Sequence, residues 1–245
     1  MVCGEIAAMS EGQGRRANMD IGIIGSGNIG GTLARRFREL GHQVKIANSR
    51  GPESLAAFAA ETGASAATVE EAARAKDLVI VTIPEAAVTD LPAGILADTT
   101  AVIVDTGNYY PSRDGRIKEI DDGMIESEWV AQALGHPVVK AFNNIFAAHL
   151  GAKGVPSGTA GRIALPVAGD DAPSKELVLG LIDDLGFDGV DAGTLADSWR
   201  QQPGTPVYAT DLDADGVKSA LAQVDAERIT DYREQADEAA RAWFS

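Results

Sequence analysis

The chain has 245 residues, 45% apolar and 23% charged, which excludes a stapled mini-protein, a largely disordered chain and a fibrous repeat; no apolar run approaches the ~20 residues that span a bilayer. Against 21 basic residues stand 36 acidic ones, for a net charge of -15 that repels polyphosphate backbones and anionic membranes, so neither nucleic acid nor a membrane is an expected partner. The single cysteine, Cys3, excludes an internal disulfide and a multi-thiolate metal cage, and it accords with a reducing cytoplasm.

Residues 1–18 lack the apolar stretch of a secretory signal and read as a flexible extension or a misassigned start, with the fold beginning at residue 19. Short apolar runs then alternate with longer amphipathic stretches, the pattern of strands and crossover helices in a parallel sheet covered on both faces. Strands are predicted at 21–24, 44–47, 78–83, 101–105, 138–142, 163–167 and 189–191. Between the first two, Ile29, Leu33, Phe37 and Leu40 form one helical stripe that Gly41 ends. Further helices are predicted from Pro52, over 69–75, over 85–96 with Pro92 disturbing it, and over 125–134 and 174–185. The polar, turn-rich stretch 109–123 reads as a surface loop at one rim of the sheet. This is a doubly wound α/β fold over 19–195. The acidic tail, 196–245, reads as a small helical extension that packs on the main domain or against a second subunit and leaves a homodimer open.

Directly after the first strand, Gly25, Gly27 and Gly30 form G-x-G-x-x-G in the run Gly25-Ser26-Gly27-Asn28-Ile29-Gly30. Gly25 allows the tight turn, Gly27 lets backbone approach a pyrophosphate, and Gly30 permits close helix–strand packing, while the helix start presents N–H groups to the anion. A carboxylate normally ends the second strand of an NAD site, but this chain has Asn48-Ser49-Arg50 there. A hydroxyl and a guanidinium suit the 2′-phosphate of NADP(H). Thr82, Ile83 and Pro84 leave the third predicted strand at the edge where open α/β sheets bind ligands, and are expected beside the nicotinamide ribose or diphosphate.

Together GSGNIGGTLARRFRELGHQVKIANSR, VTIPEAA, VVKAFNNI, LPVAGDD and DAGTL resemble the NADPH-dependent coenzyme F420 reductase family, over residues 20 to about 198. The resemblance implies an NADP-binding Rossmann domain. It implies direct hydride transfer between NADPH and a small-molecule acceptor, a deazaflavin (F420) or related flavin-like ring, with catalysis by holding two planar rings in contact. It also implies that Gly25 to Gly30 hold the pyrophosphate, Ser49 and Arg50 the 2′-phosphate, and Thr82 to Pro84 the nicotinamide border. The stretches 105–130 and 201–213 depart from the better-characterised reductases, so the acceptor stays open; ferric and cupric reductases of the STEAP type share the same cofactor domain. A non-catalytic NADP(H)-sensing module is the competing reading.

Asn143 and Asn144 follow the fifth predicted strand at the ligand edge, as candidates to bind the nicotinamide amide or the acceptor or, equally, to hold a turn. His136 falls at the opposite edge, His42 reads as structural, and His149 has no carboxylate at ligand spacing, so no metal is expected. Asp211, Asp213 and Asp215 open like a calcium loop, but Ala222 stands where its closing glutamate belongs. Trp129, Trp199 and Trp243 read as packing anchors, Trp199 with a second reading at the acceptor site.

Overall fold

The computed structural model describes residues 18–244. The expected extension up to residue 17, with Cys3, lies outside the described residues. Along the chain run β1 (Asp20–Ile24), α1 (Asn28–Glu39), β2 (Gln43–Ala47), α2 (Ala56–Thr62), β3 (Ser65–Ala66), α3 (Val69–Ala73), β4 (Leu78–Val81), α4 (Glu85–Val88) and β5 (Val102–Asp105). Then follow α5 (Pro111–Asp114), α6 (Lys118–Asp121), α7 (Glu126–Leu134), β6 (Val139–Lys140), α8 (Ala147–Ala152), β7 (Ala164–Val167), α9 (Ala172–Asp184) and β8 (Asp188–Asp191). A 3-10 stretch, Leu195–Gln201, leads to α10 (Ala214–Ala222) and α11 (Ile229–Phe244).

Six strands pair in parallel in the order β3-β2-β1-β4-β5-β6. Strand order reverses between β1 and β4, and a sheet of this kind opens its ligand crevice outside the carboxyl ends at that point. All four residues of β4 are buried, because both faces are covered. Ile21, Ile23, Leu78 and Ile80 face one core with Leu33 and Phe37 of α1, while Ile24, Val79, Val81 and Ile103 face the other with Val130 and Leu134 of α7.

The structure departs from the sequence expectations in four places. The last two strands leave the main sheet: β7 and β8 pair with each other and touch β6 through one antiparallel bridge, Lys140 to Ala168. The strand expected over 138–142 shrinks to two residues, and Phe142 takes a left-handed φ of 62° just beyond it. The helix expected over 85–96 stops after Val88, before Pro92. Finally, 109–123 is no simple surface loop. Tyr109 and Ile120 are wholly buried, and α5 and α6 lie within it. Its polar groups serve one another: the Tyr109 hydroxyl accepts from the Ile117 N–H at 2.9 Å and lies 3.1 Å from the Gly115 carbonyl, while Arg233 sits 5.4 Å from the Tyr109 ring centre.

In the tail, α10 buries Val217 and Leu221 against Val190 and Val207, and α11 packs on α5. Buried Asp237 of α11 accepts from both the N–H and the hydroxyl of Ser112, at 2.8 and 2.7 Å. Asp237→Ala removes both bonds to the carboxylate and should cost about 1–3 kcal/mol, the worth of hydrogen bonds to a charged group, read as a lower melting temperature; an unchanged melt would mean that this contact does not hold α11. The acidic run expected to fall short of a calcium loop is spent on the fold: Asp213 caps α10 by accepting from the Gly216 N–H, and Asp211 bonds His149 and Lys153. His42 accepts from the Met19 N–H at 3.2 Å and meets Phe37 edge-on. No helix among the described residues is long and apolar enough to cross a membrane, and none of their side chains cluster as a metal site.

Candidate cofactor site

A cleft of about 730 Å³ opens at the carboxyl ends of β1, β2 and β4. Residues 25–27, 48–52 and 82–84 line it, with 68–70 on the far wall. The loop after β1 is built as the glycine spacing predicts. Gly25 has φ 117°, and a Cβ there would overlap the Thr82 carbonyl. A Cβ on Gly30 would overlap the Gly25 carbonyl and lie 2.6 Å from the Thr82 methyl, so α1 packs on the β4 turn only through hydrogen. Gly27 differs: a Cβ there would meet no protein atom within 4 Å. Its bareness serves nothing inside the chain and leaves room for an anion against the backbone.

The start of α1 suits that anion. Gly27, its N-cap, offers no side-chain acceptor, and no acidic residue stands in the first turn. The first N–H groups of the helix, from exposed Asn28 onward, therefore lack an internal acceptor, and they carry the positive end of the helix dipole. Ile29 is half-buried and packs on the core, holding the helix down.

At the end of β2, Asn48 joins two loops. Its amide nitrogen donates to the Ser26 hydroxyl at 3.1 Å, and its oxygen accepts from the Arg50 N–H at 2.9 Å. Ser49 and Arg50 are exposed at the cleft. The Arg50 side chain has no hydrogen bond or ion pair among the described residues, in a protein of net charge -15. Gly51, with φ 85°, turns the chain into the 3-10 stretch Pro52–Leu55. Thr82 hydrogen-bonds through its N–H to the Ile24 carbonyl at 2.8 Å, and Ile83 and Pro84 border the opening. Open backbone at Gly27 and an exposed Arg50 guanidinium, unpaired among the described residues, are groups that could hold a pyrophosphate and a 2′-phosphate, so NADP(H) fits the cleft.

Asn143 and Asn144 lie past β6 at the same edge of the sheet but are buried. The Asn143 amide donates to the Asn108 side chain at 3.0 Å and the Gln201 carbonyl at 2.7 Å, and its oxygen accepts from Gln201 Nε2 at 3.1 Å. Asn144 donates to the same carbonyl at 3.1 Å. The structure thus gives both amides an internal use, tying the loops after β5 and β6 to the 3-10 stretch. His136 lies at the amino-terminal edge, beside a separate cleft of about 770 Å³ that holds none of the phosphate-binding backbone.

Sequence reading missed a buried charged group behind the site. Lys140 is wholly buried and bonds Asp105 Oδ2 at 2.9 Å and the Gly107 carbonyl at 2.6 Å. Burial works against the ammonium, but Asp105, Glu85 and Glu126 outweigh it and hold its pKa above the ordinary lysine value. Glu85 is also wholly buried; burial first, then the neighbouring carboxylates, pushes its carboxyl well above the usual range despite Lys140. Tyr208 approaches Tyr110, hydroxyl to hydroxyl, at 2.6 Å, and burial raises both phenols so that they stay protonated. One signal was available: Asp105 and Lys140 are charges inside apolar strand runs, where unpaired charge is not tolerated.

A family model described as "NADP oxidoreductase coenzyme F420-dependent" matches residues 20–109. The protein SMa0349 of Sinorhizobium meliloti, known by crystal structure, is 34% identical; the match covers 80% of this chain and 96% of that one, with a TM-score of 0.68. An Arthrobacter sp. FB24 protein, described as a candidate F420-dependent NADP reductase, is 24% identical over 74% of this chain and 87% of its own, with a TM-score of 0.58, a likeness of fold. Escherichia coli YjhV is 47% identical over 60 residues, 24% of this chain and 44% of YjhV, so that match spans less than half of the relative. The family model falls on residues 20–109, which build β1 to β5 and the glycine loop, and this segment belongs to the family so described; SMa0349, one-third identical over nearly its whole length, shares the fold over 80% of this chain.

Proposed function

We propose that the protein exchanges hydride between NADPH and a deazaflavin, F420, or a related flavin-like acceptor. The observation that carries the reading is the empty space at Gly27 beside the unpaired Arg50 at the end of β2. NADPH supplies a hydride at nicotinamide C4. The chain's part is to bind and orient. The α1 N-terminus and Gly25 to Gly30 hold the pyrophosphate, Ser49 and Arg50 the 2′-phosphate, and Thr82 to Pro84 fix one wall of the crevice. The family description and the Arthrobacter neighbour support F420 as acceptor class.

Mixing the protein with NADPH and oxidised F420, then with NADPH and free flavin, tests this through the absorbance of each acceptor. Reduction of F420 supports it, and reduction of free flavin alone moves the acceptor to a STEAP-like flavin. Binding of NADPH with reduction of neither would sink the enzymatic reading in favour of a sensor.

Arg50→Ala should weaken NADPH by about 10- to 100-fold, the worth of a charge-assisted hydrogen-bond pair, and change NADH little. Equal loss for both cofactors, measured by calorimetry, would remove the 2′-phosphate assignment.

A further inference from the structure

Behind the loops after β4, β5 and β6, Glu85, Asp105, Asp114 and Glu126 are interleaved with Lys140, Arg113 and Arg233. None of these belongs to the phosphate cradle. At the centre both backbone groups of Gly107 are held by one ion pair: its N–H donates to Asp105 Oδ1 at 2.7 Å, its carbonyl accepts from Lys140 Nζ at 2.6 Å, and Lys140 meets Asp105 Oδ2 at 2.9 Å. Lys140 and Asp105 are 0% and 2% exposed. Such a pair is a poor device for stability alone, because apolar residues of similar volume often serve as well. What it does supply is a fixed direction for the turn that leaves β5.

The turn after β4 meets the same glycine. A Cβ on Gly107 would lie 2.5 Å from Glu85 Oε1 and 2.9 Å from Asp105 Oδ1. Neither Glu85 oxygen has a hydrogen-bond partner; Arg113 Nη2 comes only to 3.5 Å. The adenosine end of a dinucleotide is anchored over β2 by residues 48–52, so its other half runs the opposite way, past the carboxyl ends of β4 and β5. There the Lys140–Asp105 pair fixes the turn after β5 against β6.

We infer that Lys140 is a positioning residue for the nicotinamide half of the site, acting through Asp105 and Gly107 to set the wall formed by the turn after β5. This rests on the NADP reading above. Exposed Gly27 and Arg50, which hold the other half, are not among the groups that it touches.

The test separates the two halves by ligand. NADP and adenosine 2′,5′-bisphosphate, which lacks the nicotinamide half, are titrated by calorimetry into wild type, Lys140→Met/Asp105→Asn and Gly107→Ala. The double variant removes both buried charges together, and Gly107→Ala keeps every charge while displacing the turn; a thermal melt checks that each is folded. The ratio of the two dissociation constants should shift by on the order of tenfold in each folded variant, while adenosine 2′,5′-bisphosphate alone stays within about twofold of wild type. A merely structural role would lower the melting temperature and leave that ratio untouched. An unchanged ratio in either folded variant overturns the inference, as does equal weakening of both ligands. Wild type that binds neither ligand would instead overturn the NADP reading.

Discussion

Gly27→Val abolishes retention of NADP while costing the free protein no more than about 1 kcal/mol, whereas Gly30→Ala weakens binding and the fold together. The two glycines sit three residues apart in one motif, yet the space around them differs in kind. Gly27 is exposed with an extended ψ of -166°, a conformation any residue adopts, and a side chain there meets solvent. It would meet the pyrophosphate only when the dinucleotide binds, so its cost falls on the complex, on the order of a hundredfold or more in affinity. At Gly30 the added methyl collides with the Gly25 carbonyl and with Thr82, both held by β1 and β4, and overpacking of that kind costs about 1–3 kcal/mol. Thermal melts with and without NADP separate the cases. If Gly27→Val melts as low as Gly30→Ala, or still gains stability from NADP, the cradle is not where the pyrophosphate sits.

The fold around the proposed dinucleotide half of the site was legible in the sequence because its determinants are local. Gly25 to Gly30 are contiguous, the strand before them and the helix after them carry clear periodicities, and Asn48 to Arg50 follow the next strand at a fixed interval. Elements that the sequence hid are short: β3 has two residues and α8 six, too few for a period to show. The excess length expected for the strand at 138–142 has the same root. Its apolar run is real, but Phe142 turns out of the extended region and Lys140 turns inward to Asp105.

The acceptor half was illegible because its contacts join distant segments. Asp105 and Lys140 are 35 residues apart, Asn143 and Gln201 are 58, and Tyr110 and Tyr208 are 98. Polarity alone placed 109–123 on the surface. The structure instead buries part of it against α7 and α11, where the Tyr109 N–H donates to Glu126 and Ser112 donates to Asp237, partners 17 and 125 residues away that no local window contains.

Raising the pH should destabilise the wild-type protein across the window that begins at the ordinary carboxylate pKa and ends at the raised value of Glu85, and Glu85→Gln should flatten that fall. In the unfolded chain Glu85 ionises in the usual carboxyl range. In the fold it keeps its proton, because burial and then the charges of Asp105 on β5, Glu126 on α7 and Asp114 on α5 outweigh Lys140 on β6. The folded state thus holds the extra proton within the window, and each pH unit removes about 1.4 kcal/mol for that proton, until the folded carboxyl itself ionises. The contribution is full below the unfolded pKa and lost as pH rises through the folded one. Glu126, raised by burial, adds a fall of the same sign that the variant retains. Denaturant unfolding at intervals from pH 5 to the alkaline limit of solubility reads both curves. Parallel curves for wild type and Glu85→Gln would show that Glu85 is already ionised in the fold. A stability that rises with pH in wild type but not in the variant would mean that Arg113 and Lys140, not burial, govern this carboxyl.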